Sequence, residues 1–294
     1  MEENQKCGFI SIVGRPNVGK STLMNHLIGQ KISITSRKPQ TTQQRVSGIV
    51  TLNNAQYIFI DTPGFQQLYL NKLNNLLNQS VINSLSDVDV VLFVVEALIF
   101  NQGDQNVLNL LPNNKNVILV INKQDKVDNK YELNNYIESL CQKFPFKEVL
   151  LVSARMHNGI DEVLLALNKY IPFERFLYPE DQLTDRNTKF LVSEIIREKL
   201  FRNLGDELPY SLAVNIDEFD ISNPKITHIN ATIIVDKDNQ KGMVIGNKGN
   251  KLKKISSEAR VDIEKLLNNK VFLQIWVKVK NGFADQVMFL KQFE

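Results

Sequence analysis

The stretch Gly14-Arg15-Pro16-Asn17-Val18-Gly19-Lys20-Ser21-Thr22 constrains this chain more than any other. It satisfies G-x-x-x-x-G-K-[ST], follows the apolar run Phe9-Ile10-Ser11-Ile12-Val13, and leads into Leu23-Met24-Asn25-His26-Leu27-Ile28, which reads as a helix. Strand, glycine-bounded loop and helix in that order are the setting a phosphate-binding loop requires. Backbone N–H groups of such a loop converge on phosphates, and the helix N-terminus adds its partial positive charge. Lys20 then reaches the β- and γ-phosphates and the Ser21 hydroxyl ligates Mg²⁺. Gly14, Asn17, Val18, Gly19 and Thr22 complete the expected cradle. The flanking strand and helix weigh against the plainer reading, an ordinary glycine turn.

Two further motifs follow at the ends of apolar strands. The polar stretch from Lys31 to Gln44 leads into a strand at Val46–Leu52, and its Thr41 or Thr42, with Thr42 favoured, is expected to close over Mg²⁺. Tyr57–Ile60 is a third strand, ending in Asp61-Thr62-Pro63-Gly64. Asp61 is suited to hold Mg²⁺ through a water, and the Gly64 N–H to bond the γ-phosphate. A helix is expected over residues 68–85, then a strand at Val90–Val95 that is apolar on both faces, as a covered parallel sheet requires. A helix near Gln105–Leu111 precedes the strand Val117–Ile121, which runs into Asn122-Lys123-Gln124-Asp125.

That tetrad selects the base. Asp125 can accept from both N1–H and the exocyclic amine of guanine, a pair adenine does not offer, and an unpaired buried carboxylate rejects the wrong ligand. The stem of Lys123 can lie over the purine, and Asn122 is expected to tether neighbouring loops. Val149–Val152 forms the next strand, and backbone N–H groups at Ser153 and Ala154 are expected to donate to guanine O6. A helix from about Ile160 to Tyr170 stops before Pro172. Alternating strands and helices imply an α/β domain with an open, mostly parallel sheet and ligand loops at the strand C-termini. With these motifs in order, the first domain resembles the translation-factor-related P-loop GTPases.

The site residues bear on turnover. Where many GTPases carry a glutamine that orients water, this chain has Phe65, followed by Gln66 and Gln67, and members with an apolar residue there hydrolyse slowly. Catalysis then falls to Lys20, Thr42, Gly64 and Mg²⁺. Asn17 resembles the asparagine with which some GTPases ligate K⁺ beside the phosphates, which implies potassium-stimulated hydrolysis. The alternative is local stabilisation of the loop by its own hydrogen bonds.

At 294 residues the chain is long enough for two cores, and 43% hydrophobic content is that of an ordinary globular protein. No apolar run approaches a membrane-spanning length, and no signal or transit segment precedes the first strand, so a cytoplasmic protein is expected. Basic surface permits peripheral association with a membrane, but nothing anchors the chain in lipid. Cys7 and Cys141 supply neither zinc spacing nor a disulfide framework, and His26, His157 and His228 lie far apart in sequence.

The second half is polarised. Residues 173–236 carry seven Lys/Arg against twelve Asp/Glu, whereas residues 237–254 carry six lysines against Asp238 alone. After a linker at 173–184, the pattern reads helix (190–201), strand (210–216), strand (229–235), short helix (241–245), helix (250–267), strand (271–279). Between the two later helices lies Gly246-Asn247-Lys248-Gly249, a G-x-x-G of the kind that clamps backbone nucleotides in KH modules. Gly246 and Gly249 admit close approach of phosphates, Lys248, Lys251 and Lys254 neutralise them, and a groove beside Ile245 and Ile255 is expected to take unstacked bases, with Asn247 in the turn.

A GTPase domain (1–172) followed by an α+β type II KH domain (185–294) is similar to the Era family of bacterial ribosome-assembly GTPases. The resemblance rests on Glu194–Leu200, Gly205–Tyr210, Val244–Gly249 and Leu273–Val279 as well as on the nucleotide motifs. It implies a monomeric GTP/GDP switch that binds the 3′ end of 16S ribosomal RNA and assists assembly of the small (30S) subunit. A GTP-dependent RNA-binding chaperone with negligible turnover is the alternative. The segments Phe65–Leu70 and Leu98–Gln102 depart from the family's usual pattern.

Overall fold

The computed structural model describes residues 4–35, 46–61, 85, 87–205 and 212–282. They form two compact units that divide after Asp185. Thr41, Thr42, Gly64, Phe65, Gln66, Gln67, nearly all of the helix expected at 68–85, and Tyr210 lie outside the described residues.

The first unit opens with β1 (Lys6–Val13) and α1 (Lys20–Ile28), followed by β2 (Val46–Leu52), β3 (Ala55–Asp61) and β4 (Val90–Glu96). It continues through α2 (Gln102–Leu108), β5 (Asn116–Asn122), α3 (Lys130–Cys141), β6 (Glu148–Leu151) and α4 (Ile160–Asn168). The sheet order is β2-β3-β1-β4-β5-β6. Every pairing is parallel except β2 with β3. β3 and β4 are buried along their whole length, so both faces are covered. Phe93, Val91, Val95, Leu119 and Ile121 carry the core on one face with Val107, Leu108 and Leu140.

Two elements differ from the sequence reading for identifiable reasons. Helix α2 begins three residues earlier than expected because Asn101 caps it. The Asn101 side chain accepts from the Gly103 and Asp104 N–H groups, while Asp104 accepts from Asn101 N–H, a capping box. Helix α3 was not expected, since only Leu133 and Leu140 of its twelve residues are buried and the apolar stripe is too thin to show helical periodicity.

The expected linker is hydrogen-bonded to the first unit. Gln56, fully buried on β3, accepts from Leu177 N–H (2.9 Å) and Tyr178 N–H (3.0 Å) and donates to Tyr178 C=O (2.9 Å). Further on, Ile49 N–H donates to Leu183 C=O, Thr184 Oγ1 donates to Ser47 C=O, and Ser47 donates from N–H and Oγ to Asp185. Residues 183–185 thereby cover the free edge of β2.

The second unit comprises α5 (Thr188–Asn203), β7 (Leu212–Asp220), β8 (Ile226–Val235), α6 (Asp238–Ile245), α7 (Asn250–Leu267) and β9 (Lys270–Val279). This is the α-β-β-α-α-β order of a type II KH domain. β8 is central, antiparallel to β7 and parallel to β9. The three helices lie on one face, with Ile196, Leu200, Ile229, Ile233, Val244, Ile255 and Ala259 in the core between. Lys199 of α5 pairs with Asp262 of α7, and Asn203 Nδ2 donates to Glu258 at 3.0 Å. These polar ties fix how the two long helices meet.

Replacing Gln56 by Ala leaves the Leu177 and Tyr178 backbone groups without their partner. The expected result is a loss of about 2 kcal/mol, with faster amide exchange at Leu177 and Tyr178, read by chemical denaturation and hydrogen exchange.

Candidate functional site: a nucleotide cradle and a glycine-bounded turn

The loop between β1 and α1 is shaped by close backbone approach. A Cβ at Gly19 (φ +105°) would stand 2.3 Å from Asn122 Nδ2, and one at Gly14 would stand 2.4 Å from the Val94 carbonyl. Only glycine fits either position. Asn17 also takes a left-handed conformation, φ 66°. Lys20, 7% exposed, folds back over the loop and donates to the carbonyls of Gly14 (3.0 Å) and Arg15 (3.1 Å). Burial pulls its pKa down to about 8; Arg15 adds to the lowering, while Asp61 and Asp104 oppose it.

Ser21 Oγ donates to Asp61 Oδ2 at 2.9 Å, and Ser33 Oγ donates to the same oxygen at 2.5 Å. A hydroxyl and a carboxylate side by side at the helix N-terminus form an all-oxygen donor set, the kind Mg²⁺ requires. The residues present therefore fit that ion. Thr22 stands beside a cavity of about 390 Å³ shared with Asn25, Gln30, Lys31, Thr35, His26 and His157. The two histidines, far apart in sequence, face each other with Nδ1 atoms 2.8 Å apart, joining α1 to the loop after β6.

Asn122 sits where three loops meet. Its Nδ2 donates to Val18 C=O (2.8 Å), and its Oδ1 accepts from Lys123 N–H (2.8 Å) and Ala154 N–H (3.0 Å). Lys123 (φ 64°) turns back so that Nζ donates to Asn17 C=O at 2.9 Å. Asp125 is exposed and its carboxylate accepts from Ser153 Oγ at 2.5 Å. The expected donors to a purine O6 are both engaged within the protein: Ser153 N–H with Asn158 C=O and Ala154 N–H with Asn122. An incoming carbonyl must therefore share the Ala154 N–H with Asn122.

A charge network escaped the sequence reading. Arg15 Nε donates to Asp104 Oδ2 (2.9 Å), and its guanidinium also reaches Glu96 (3.4 Å). Glu96 in turn accepts from Lys123 (2.6 Å) and Lys126 (3.1 Å). Burial pushes the Glu96 carboxyl upward, but the hydrogen bonds and charges of Lys123 and Lys126 outweigh it and hold the group below its usual range. Burial raises Asp104, with the Asn101 N–H and Arg15 partly offsetting. Glu96 thus links the phosphate loop to the base tetrad. A carboxylate closing an apolar strand, in register with Asn122 on its neighbour, was the available signal.

In the second unit the turn between α6 and α7 has Gly246 at φ 71°, Lys248 at φ 48° and Gly249 at φ 77°. A Cβ on Gly246 would stand 2.6 Å from that of Lys251, whereas Gly249 faces open space. Helix α7 starts at Asn250 with no side-chain cap, so its first N–H groups stand behind the turn. Asn247 and Lys248 are exposed, Lys251 is half-buried, and Lys254 lies 3.8 Å from Glu258. Ile245 is half-buried, but Ile255 is wholly within the core and does not line a groove, because its face of α7 packs on the sheet.

The loops at the strand ends and the uncapped turn define the class: a P-loop GTPase joined to a KH module. Residues 9–123 match the 50S ribosome-binding GTPase family and residues 207–283 the KH domain family. The chain is 53% identical to GTPase Era of Chromobacterium violaceum over 98% of its own length and 97% of that protein. It is 51% identical to GTPase Era of Neisseria meningitidis serogroup C, covering 98% and 94%. The chain belongs to the Era GTPase family. Among solved structures, Era in complex with MgGDPNP and nucleotides 1506–1542 of 16S ribosomal RNA superposes with a TM-score of 0.90 at 38% identity, covering 99% of both chains. A variant of Aquifex aeolicus Era bound to GDP.AlF4- gives the same score and identity over 98% of this chain and 99% of that one.

Two outcomes are expected. Anionic phosphates favour charged Lys20, so its pKa rises on binding. GTP affinity should be flat below about pH 8 and fall up to about tenfold per unit above it, with proton uptake visible by calorimetry in buffers of different ionisation enthalpy. Glu96→Ala should release Lys123 from its carboxylate, leave Arg15 on Asp104, and speed GTP and GDP dissociation alike, by about tenfold, measured by stopped-flow displacement of a fluorescent nucleotide.

Proposed function

We propose that this chain is a GTP-hydrolysing switch whose KH domain binds the 3′ end of 16S ribosomal RNA and assists assembly of the 30S subunit. Residues 1–172 carry the GTPase function and residues 186–294 the RNA contact, with 173–185 belonging to the first unit. The observation that carries the reading is Asn122: one buried amide bonds the phosphate loop, the Asn122–Asp125 tetrad and the Ser153–Ala154 loop, so phosphate and base contacts form one site. Support for the RNA half comes from the left-handed turn Gly246–Gly249 before an uncapped helix and from the Era complex with MgGDPNP and 16S ribosomal RNA.

Gly14, Asn17, Val18, Gly19, Lys20, Ser21 and Thr22 cradle the phosphates, Asp125 accepts from guanine, and Lys123 covers the ring. Ser21, Thr42 and, through a water, Asp61 would hold Mg²⁺, which when bound neutralises charge on the phosphates. Lys20 exchanges the Gly14 and Arg15 carbonyls for phosphate oxygens and adds fixed positive charge where negative charge develops. The Gly64 N–H completes the γ-phosphate contacts, and Phe65 in place of a water-orienting glutamine makes turnover slow. Asn17 holds K⁺ beside the phosphates. Gly246, Asn247, Lys248 and Gly249 meet the RNA backbone, with Ile245, Lys251 and Lys254 flanking. The protein works as a cytoplasmic monomer.

Lys20→Ala should abolish nucleotide binding while a 3′-end rRNA oligonucleotide still binds. Gly246→Asp or Gly249→Asp should do the reverse. Oligonucleotide affinity should differ between the GTP-analogue and GDP states; identical affinities would refute the switch. Equal turnover in K⁺ and Na⁺ buffers would refute the potassium site alone.

A further inference from the structure

We propose that the face of the β7-β8-β9 sheet that the described residues leave uncovered is a docking surface for a basic, extended segment of a protein partner. Strand β9 alternates cleanly. Val271, Leu273, Ile275, Val277 and Val279 join the core beneath the helices, while Phe272, Gln274, Trp276 and Lys278 point the other way. Phe272 and Trp276 are each 45% exposed, on the same side of one strand. Large aromatics left nearly half exposed on a solvated sheet face fit a contact surface.

The register supplies the chemistry. Phe272 lies opposite His228, their ring centroids 5.3 Å apart, and His228 lies opposite Asp220. In the next row Gln274 faces Asn230, which faces Glu218 and donates to its carboxylate. Trp276 faces Thr232, whose hydroxyl donates to Asp217 at the irregularity between Ile216 and Glu218. Three carboxylates therefore line β7, with β8 between them and the aromatic pair on β9. The Ser222 N–H, first among several causes, holds Asp220 below the usual carboxylate range.

Strands stand about 4.8 Å apart and alternate residues of an extended chain about 7 Å apart. One guanidinium or ammonium group can stack on Trp276 or Phe272 while another meets a β7 carboxylate. Lys270 and Lys278 sit at the two ends of β9, so the attraction is directed across the sheet toward β7. A nucleic acid would meet Asp217, Glu218 and Asp220 as like charge. The Gly246–Gly249 turn joins α6 to α7, whose core packing is on the opposite face of the sheet.

Trp276 is the only tryptophan of the chain, so its emission reports this face alone. The full-length protein is titrated with a decapeptide of alternating Arg and Gly, and with the Gln-Gly analogue as control. The Arg-Gly peptide should give a saturable change in emission that weakens with added salt, and the analogue none. The double variant Glu218→Gln/Asp220→Asn should shift the midpoint roughly tenfold, as loss of two surface charge partners predicts. It should leave GTP turnover and binding of the rRNA oligonucleotide unchanged. Phe272→Ser gives a second test, with a weaker midpoint expected at unchanged circular dichroism. An emission change with the oligonucleotide alone would assign the face to RNA, and self-association in sedimentation that buries Trp276 would assign it to a second copy. Either result, or no response to the Arg-Gly peptide, overturns the proposal.

Discussion

One buried amide holds the nucleotide loops together. Asn122 ends β5, gives its Nδ2 to Val18, and takes the N–H groups of Lys123 and Ala154 on Oδ1. Buried and surrounded by its partners, it allows the three loops one mutual arrangement. The same side chain explains why Gly19 must be glycine, since Nδ2 occupies the space a Cβ would need. Glu96, one strand away, repeats the bracing with charge by taking Lys123 and Lys126 and reaching Arg15. Position along the parallel sheet does the rest. β4 and β5 end in register at Glu96 and Asn122, so their last side chains emerge at the same sheet edge.

Much of this was legible in the amino-acid order because strand and loop chemistry are local. An apolar run such as Val90–Val95 admits few readings once turn signals bound it, and G-x-x-x-x-G-K-S carries its own geometry. What escaped was held by contacts distant in sequence. Helix α3 keeps only Leu133 and Leu140 inside, and its polar face gave no stripe to read. The pairing of Arg15 with Asp104 spans 89 positions, and that of His26 with His157 spans 131. No spacing rule reaches so far. Ile255 reads as a groove residue from its neighbourhood to Gly249, yet the helix turns it into the core.

The KH unit shows the same division. Its element order followed from periodicity, while the meeting of α5 and α7 depends on Lys199 with Asp262 and Asn203 with Glu258. Helix α5 buries Arg197, Glu198 and Lys199 alongside its apolar residues, and their charges are paired with Glu194, Arg202 and Asp262. A buried ion pair contributes little net stability but penalises misaligned packing.

The segment from 173 to 185 bears on where the first unit ends. Helix α4 ends at Asn168, yet Gln56 spends its amide on Leu177 and Tyr178, and Ser47 spends its N–H and hydroxyl on Asp185. Truncation at Pro172 would strip a strand border bare and strand a wholly buried glutamine, inviting sheet-to-sheet adhesion between molecules. Spacers inserted there would behave as register errors, not as slack in a tether. For anyone excising the GTPase half, the natural seam lies after Asp185.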